Sequence, residues 1–322
     1  VPALQDHERG MNIVHFHPGP DTGGQSAGGK PILEAAGHHV RAFARQPHAF
    51  GYPPTELSSM MGGDPETEEA FEWADLVIVH NLPGLYARLA RDRRKPLIIH
   101  HHGSRFRRDG ALFWHYAAEL GAVQVVSTVD LLVDAPGPVY WQPQNVDLAK
   151  MEAIRREVSR ERPSGPIRVV QAPTNRHIKG TAMLQQQIRG TGLDLVLVPP
   201  NTKWDRCLQI KALGDIYADQ FALGYGNNAI EAWAMGLPVV AGASEPILER
   251  MRAEYGRLPF LTSDASNLRA NLLALAESAD MRAEWAARGM EHVQRFHAPE
   301  AWLARFEEMA QLAMSNFAAR AA

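Results

Sequence analysis

Four stretches of the sequence bring together residue types that can handle a phosphorylated or polyhydroxylated ligand. In residues 172–181, APTNRHIKGT, Arg176 and Lys179 stand three apart on a loop that opens into a helix. Two cations beside a helix N-terminus can hold a diphosphate, each charge-assisted bond contributing about 1.5–3 kcal/mol. In a transfer reaction they also stabilise charge growing on a departing phosphate. A solvated basic turn is the alternative. Residues 218–242, ADQFALGYGNNAIEAWAMGLPVVAG, form the densest motif. A strand ends at Asp219 and Gln220, and a turn through Gly224, Tyr225 and Gly226 lets backbone approach a ligand. A helix then opens at Asn227 and carries Glu231. A glutamate so placed can accept two ribose hydroxyls. It can also simply favour the helix dipole, which leaves the flanking glycines unexplained.

Residues 18–25, PGPDTGGQ, follow the first strand. Gly23 and Gly24 allow backbone N–H groups to approach a ligand, and the helix beyond favours an anion. The spacing is not GxGxxG, and a plain surface turn fits equally. Asp21 is the loop's carboxylate. Residues 100–107, HHHGSRFR, end another strand. His100 and His102 share one face of it and His101 points away. That offers two ligands, and no neighbouring Asp/Glu pair completes a set, so no metal is expected. His102, at the strand's C-terminal end, is expected to meet a ligand where open α/β sheets bind them. A satisfied buried histidine is the alternative. Arg105, Arg107 and Arg108 form a basic cluster beside it, suited to an acidic acceptor or to a solvated loop.

The elements that position these residues are short apolar runs alternating with helical stretches, the pattern of parallel sheets covered by helices. The spacing predicts strands over residues 11–17, 39–44, 74–80, 96–102 and 123–127 in a first unit. A second has strands over 167–172, 193–198, 216–219 and 238–241. Helices are expected over 31–36 and 85–92, and residues 267–319 are mostly helix formers. The domains expected are 11–147, a linker with a helix at its start over 148–166, then 167–300, and a last helix over 301–322. Residues 1–10 read as an extension.

The 322 residues are 45% hydrophobic and 21% charged, an ordinary globular balance at a length suggesting two domains. The net charge of -3 does not favour nucleic acid. Cys207 is the only cysteine, which excludes an internal disulfide and a CxxC knuckle. No apolar run approaches the roughly 20 residues of a membrane helix, and no signal-peptide pattern opens the sequence, so a cytoplasmic protein is expected. Peripheral membrane contact stays open, and oligomeric state is not legible.

From residue 11 onward the chain resembles retaining glycosyltransferases of the GT-B fold, in glycosyltransferase family 4. The resemblance rests on Gly23-Gly24, GHHV at 37–40, ADLVIVHN at 74–81, HHHG at 100–103, NRHIKGT at 175–181, the YGNNAIEAWAMGLPVV block and RFHAPEAW at 295–302. It implies two Rossmann-like α/β domains with parallel sheets facing a central cleft. By the same resemblance the nucleotide sits mainly on the second domain and the acceptor on the first, and the last helix crosses back to the first. Arg176 and Lys179 then hold the diphosphate of a UDP- or GDP-sugar, without metal or other cofactor. Glu231 takes the ribose beside Tyr225, Gly226 and Asn227. Gly23 and Gly24 meet the donor, and His102 contacts the transferred sugar. A glutamate common in the family eight positions before the ribose glutamate is replaced by Leu223. A nucleotide-sugar 2-epimerase of the same fold and a non-catalytic nucleotide- or sugar-binding protein are the alternatives, and a glycan, lipid-linked or other hydroxyl is the implied acceptor.

Overall fold

A computed structural model describes residues 10–59, 64–90, 94–161 and 165–321. The chain divides into two compact units, 1–145 with 302–322, and 146–301. In the first unit the elements run β1 (Asn12–His17), α1 (Gln25–Ala35), β2 (His39–Ala44), β3 (Glu56–Leu57), α2 (Pro65–Trp73), β4 (Leu76–His80), α3 (Pro83–Ala90), β5 (Leu97–His101), α4 (Gly103–Glu119), β6 (Val123–Val126) and β7 (Tyr140–Trp141). The second unit has α5 (Leu148–Glu161), β8 (Arg168–Gln171), α6 (Thr181–Ile188), β9 (Asp194–Leu197), α7 (Trp204–Ala212), β10 (Ile216–Ala218), β11 (Leu223–Gly224) and α8 (Asn227–Ala234). It continues through β12 (Val239–Ala243), α9 (Glu245–Tyr255), β13 (Leu261–Thr262), α10 (Leu268–Glu277) and α11 (Ala279–Phe296), and α12 (Pro299–Ala321) follows.

The first sheet is ordered β3-β2-β1-β4-β5-β6-β7 with every pairing parallel. Its central strands are apolar on both faces, as strands covered on both sides must be. One face carries Val14, Phe16, Val77, Val79, Leu97 and Ile99 against Phe71, Leu85, Tyr86 and Ala117. The other carries Ile13, Leu76, Ile78, Ile98, Val123 and Val125 against Leu33 of α1 and Trp302, Phe306 and Met309 of α12. Each such large apolar side chain contributes about 1.5–3 kcal/mol when buried. The chain places β2 and β3 on one side of β1 and β4 on the other, so the strand order reverses between β1 and β4.

The second sheet runs β11-β12-β10-β8-β9, with β13 also on β12 and only β11 antiparallel. Its order reverses between β8 and β10. Val169, Ile216, Ala218 and Val240 pack on Leu184 and Ile188 of α6 and Leu268, Leu272 and Leu275 of α10. No described helix is long and apolar enough to cross a membrane.

Three expectations need correction or completion. The helix expected over 31–36 begins at Gln25, and its Gly28 and Gly29 lie inside it. Glycine is required there by packing, since a Cβ on Gly29 would stand 2.7 Å from the Trp302 ring and one on Gly28 2.8 Å from Asn145 Oδ1. The helix expected at the start of residues 148–166 is α5 (Leu148–Glu161), which packs on α7 and α8 within the second unit. The helix expected over 85–92 is α3, described from Pro83 to Ala90; residues 91 and 92, the end of the expected linker at 162–164, and residues 1–9 of the extension lie outside the described residues.

Candidate functional site

In the second unit, the loops after β8 and β10 flank the point where strand order reverses, the place where open α/β sheets form ligand sites. The β8 loop is built by Asn175, whose Oδ1 accepts from the backbone N–H of His177 and Ile178 at 3.0 and 3.2 Å. Gly180 then adopts φ +65° and opens α6. A Cβ there would also meet the Phe221 ring at 2.9 Å. This turn leaves Arg176 exposed and folds Lys179 inward. Lys179 Nζ donates to Oδ1 of Asp219, a carboxylate with 0% exposure that follows β10. Asp219 Oδ2 accepts from the backbone N–H of Gly226 at 2.7 Å. One carboxylate therefore ties Lys179 to the N-terminus of α8, and Arg176 stands apart from both.

Glu231, in the second turn of α8, is buried with both carboxylate oxygens engaged. Lys211 Nζ donates to Oε2, and also to Asn228 Oδ1 at 2.6 Å. Trp204 Nε1 donates to Oε1 at 2.7 Å, and Lys150 Nζ lies 3.8 Å from the centre of the Trp204 ring. Lys211 and Trp204 were not legible as site residues, because α7 carries no motif. Gly226 and Asn227 are half-buried at the start of α8. Tyr225 differs from expectation. Its ring packs on Trp233, and its hydroxyl lies 2.8 Å from His292 Nε2 and 3.2 Å from His297 Nε2, inside the second unit's core. The physical reason is the turn itself: Gly224 at φ +81° sends the next side chain inward, so only the Tyr225 backbone remains on the ligand side of the motif.

In the first unit, Gly23 and Gly24 both adopt φ +67°, the left-handed region that favours glycine. Gly24 lies against Tyr52, and Gly23 O accepts from Gln144 Nε2 at 3.4 Å. Asp21 turns back on α1 and accepts from the backbone N–H of Ser26 and Ala27 at 3.2 and 2.9 Å. Burial pushes its carboxyl above the ordinary carboxylate range, against the pull of those N–H groups. Asp21 thus satisfies two N–H groups in the first turn of α1, whose N-cap position is Gly24. Of the basic cluster, Arg107 is tied to Asp130 at 2.6 Å and Arg108 to Asp109 at 2.7 Å.

His102 is only 4% exposed, and both ring nitrogens are engaged. Gln25 Nε2 donates to its Nδ1 at 3.3 Å. With that proton placement, His102 Nε2–H donates to His80 Nδ1 at 2.8 Å, and His80 Nε2–H to His15 Nδ1 at 3.1 Å. Within β5 and the residue after it, His100 and His102 share this face, as strand alternation predicts. Parallel register sets β5 beside β4 and β4 beside β1, with His80 opposite His100. His15 and His17 of β1 and His80 of β4 therefore share the face of His100 and His102. The signal was present as strands that each end in histidine at the same parity: HFH, LVIVH and HHH. Burial lowers the pKa of all five, to about 3 for His15 and His17, so they are neutral.

No family model matches the sequence, and no curated protein matches it. Solved structures do match in fold. HepE of Anabaena in complex with UDP and glucose is 14% identical, covering 94% of this chain and 99% of that one, with a TM-score of 0.62. Sucrose-phosphate synthase from Thermosynechococcus elongatus is 14% identical over 95% of this chain and 99% of that one, at 0.65. An α-glucosyltransferase in complex with UDP-glucose and DNA containing an abasic site is 12% identical over 93% and 99%, at 0.67. The likeness spans both units and is one of fold: two Rossmann-like α/β units, the fold class of GT-B glycosyltransferases.

Proposed function

We propose that the protein is a retaining glycosyltransferase of family 4 that moves a sugar from a nucleoside diphosphate sugar, a UDP- or GDP-sugar, to an acceptor hydroxyl. The observation that carries this reading is the second unit's reversal point, where Lys179, Asp219 and the start of α8 converge, with Arg176 exposed on the same loop as Lys179. Arg176 and Lys179 neutralise the diphosphate as it departs, which is electrostatic stabilisation of developing charge and needs no metal at the phosphates. Glu231, held by Lys211 and Trp204, offers its carboxylate to the ribose, with Gly226 and Asn227 beside it. In the first unit, Gly23, Gly24 and His102 belong to the donor-sugar and acceptor side. The acceptor is a glycan, a lipid-linked sugar or another hydroxyl, in a cytoplasmic setting with peripheral membrane contact open. The expectation against nucleic acid finds no support in the comparison, because one solved neighbour holds DNA.

Thermal unfolding with UDP, GDP, ADP, TDP and their monophosphates tests the donor side. A ligand at a hundredfold its Kd stabilises by about 2.7 kcal/mol. A diphosphate that stabilises far more than its monophosphate, with no added metal, supports the reading; a flat panel overturns it. A second reading, a non-catalytic nucleotide- or sugar-binding protein, is favoured by Leu223 in place of a sugar-binding glutamate and by the pairing of Lys179 with Asp219. Binding of a diphosphate sugar without turnover on any acceptor distinguishes it. A 2-epimerase would instead change the sugar with no acceptor added.

A further inference from the structure

Five histidines converge on one face of the first sheet, around the point where strand order reverses between β1 and β4. On this face Ile13, Leu76, Ile78 and Ile98 give way to histidines toward the C-terminal ends of the strands, with His15 level with Ile78 and Ile98, and His80 level with His100. All five are buried, between 0% and 6% exposed. A run of neutral imidazoles is a costly way to fill a core, because each ring needs polar partners. Two nitrogens have none among the described residues: His100 Nε2 and His17 Nδ1 are buried without a hydrogen bond. A cavity of about 20 Å³ lies beside the rings, lined by His15, His80, His100, Gln25 and Gln142 and otherwise by apolar side chains, Trp302 and Phe306 among them. Both amide atoms of Gln142 are buried and unpartnered as well. A space of that size holds one water or one ion and no sugar.

We propose that His80, His100 and His102 are the protein ligands of a divalent transition-metal ion, with zinc as the leading chemistry and the cavity supplying its remaining coordination. One ring nitrogen from each of the three lies within 4.8 Å of the others. Imidazole sets of this kind suit zinc, copper, iron and nickel rather than calcium or magnesium. Metal-bound histidines usually donate their second ring nitrogen to a fixed acceptor, and His80 and His102 have groups in place for this. His80 Nε2–H already reaches His15 Nδ1 and Ser26 Oγ, at 3.1 and 3.5 Å. His102 needs its Gln25 partner turned over, so that the amide oxygen accepts from Nδ1–H and leaves Nε2 free. His80 Nδ1 and His102 Nε2, 2.8 Å apart in the structure, then part to roughly 3.3 Å, the separation of two nitrogens on a tetrahedral zinc. Asp21, buried and 3.5 Å from His17 Nε2, supplies a nearby carboxylate against the ion's charge. The ion's role is to hold the ends of β4 and β5 and the start of α1 together. The site shares only His102 with the transfer reading: a zinc-bound His102 positions the first unit from within and does not itself meet the sugar, while the charged groups of that reading, Arg176 and Lys179, lie in the other unit.

The test uses untagged full-length protein, stripped with chelator and titrated with Zn²⁺ and with Co²⁺. The expected result is about one zinc retained per chain through gel filtration, and visible cobalt absorption bands of a four- or five-coordinate site that zinc bleaches. His80→Ala and His100→Gln, checked for fold by circular dichroism, are expected to lose retention at least tenfold. His115→Ala, an exposed histidine on α4, is expected to keep it. Wild-type protein that retains no stoichiometric zinc and gives no cobalt bands overturns the site, with no variant needed. Retention unchanged in folded His100→Gln overturns the assignment of ligands.

Discussion

Lys179 Nζ donates to Asp219 Oδ1, and this one ion pair joins the loop after β8 to the loop after β10. The pair is buried, and Asp219 is held again by the Gly226 N–H. Removing one partner of a buried pair leaves the other uncompensated and costs about 3–5 kcal/mol. Lys179→Met is therefore expected to lower the urea midpoint strongly. Lys179→Met with Asp219→Asn is expected to recover much of the loss, since the amide oxygen still accepts from Gly226. Equal midpoints for the single and double variants would remove the pair's structural role. Loss of activity in Lys179→Met alone is not a clean reading of diphosphate binding.

Arg176 supplies the cleaner probe, because it is exposed on the same loop. One charge-assisted phosphate bond is worth about 1.5–3 kcal/mol, or roughly ten- to hundredfold in affinity. Arg176→Ala is expected to weaken binding of the nucleoside diphosphate by that factor in calorimetry, while leaving the unfolding temperature unchanged. Affinity equal to wild type places the diphosphate elsewhere.

Glu231 requires a gentle substitution, since Lys211, at 0% exposure, depends on it. Glu231→Gln keeps the side chain's shape but leaves one oxygen for the two donors Trp204 Nε1 and Lys211 Nζ, so its unfolding temperature is measured alongside binding. It is expected to lower nucleoside diphosphate affinity about tenfold, in the range of a hydrogen bond to a charged group. It is also expected to affect inorganic diphosphate far less, because the ribose is what Glu231 is proposed to hold. An equal effect on both ligands would falsify the ribose role.

The sheets were legible because their strands are short unbroken apolar runs, LVIVH in β4 and LIIHH in β5, and such runs need helices on both faces. The two-residue strands β3, β7, β11 and β13 were not, because they are edge or side pairings fixed by their neighbours' position and carry no period of their own. The start of α1 was hidden by Gly28 and Gly29, whose reason lies in Asn145 and Trp302, far along the chain. The candidate site divides in the same way. Lys179 and Glu231 sit in motifs that read locally. Their partners Asp219 and Lys211 are 40 and 20 residues away, and His15 and His80 meet across 65 residues. Such pairings depend on strand order, which no local pattern reports.

His292 offers a pH prediction. It is buried in the second unit against Tyr225, Tyr255, Trp233, Phe296 and His297. Burial, aided by His297 and Arg295, holds its pKa well below the ordinary 6.5. The folded protein therefore keeps it neutral while the unfolded chain protonates it below about 6.5. Its contribution is complete above that pH and is lost as pH falls, at up to about 1.4 kcal/mol per pH unit. Chemical unfolding between pH 7 and 5 is expected to show a steeper slope, because the buried histidines of the first unit add theirs with the same sign, and His292→Gln is expected to flatten it by one proton's worth. A variant slope equal to wild type means that His292 is already charged in the fold.

Gly29 and Gly110 make a matched pair within helices. Alanine is preferred to glycine in a helix by about 0.5–1 kcal/mol. In α4, Gly110 follows the kink at Asp109 and a Cβ on it meets the Phe106 ring at 3.7 Å, an ordinary contact, so Gly110→Ala is expected to leave stability unchanged or raise it by less than that amount. In α1, a Cβ on Gly29 stands 2.7 Å from Trp302, which is itself 6% exposed and stacked on Phe306. Trp302 can yield only by moving within the layer formed by Ile13, Ile78 and Ile98, and overpacking of this kind costs about 1–3 kcal/mol. Gly29→Ala is therefore expected to lower the unfolding temperature even though the helix gains. Valine at the same position should lower it further, and a neutral or stabilising Gly29→Ala would mean that α12 does not pack on α1 as tightly as its contact with Trp302 requires.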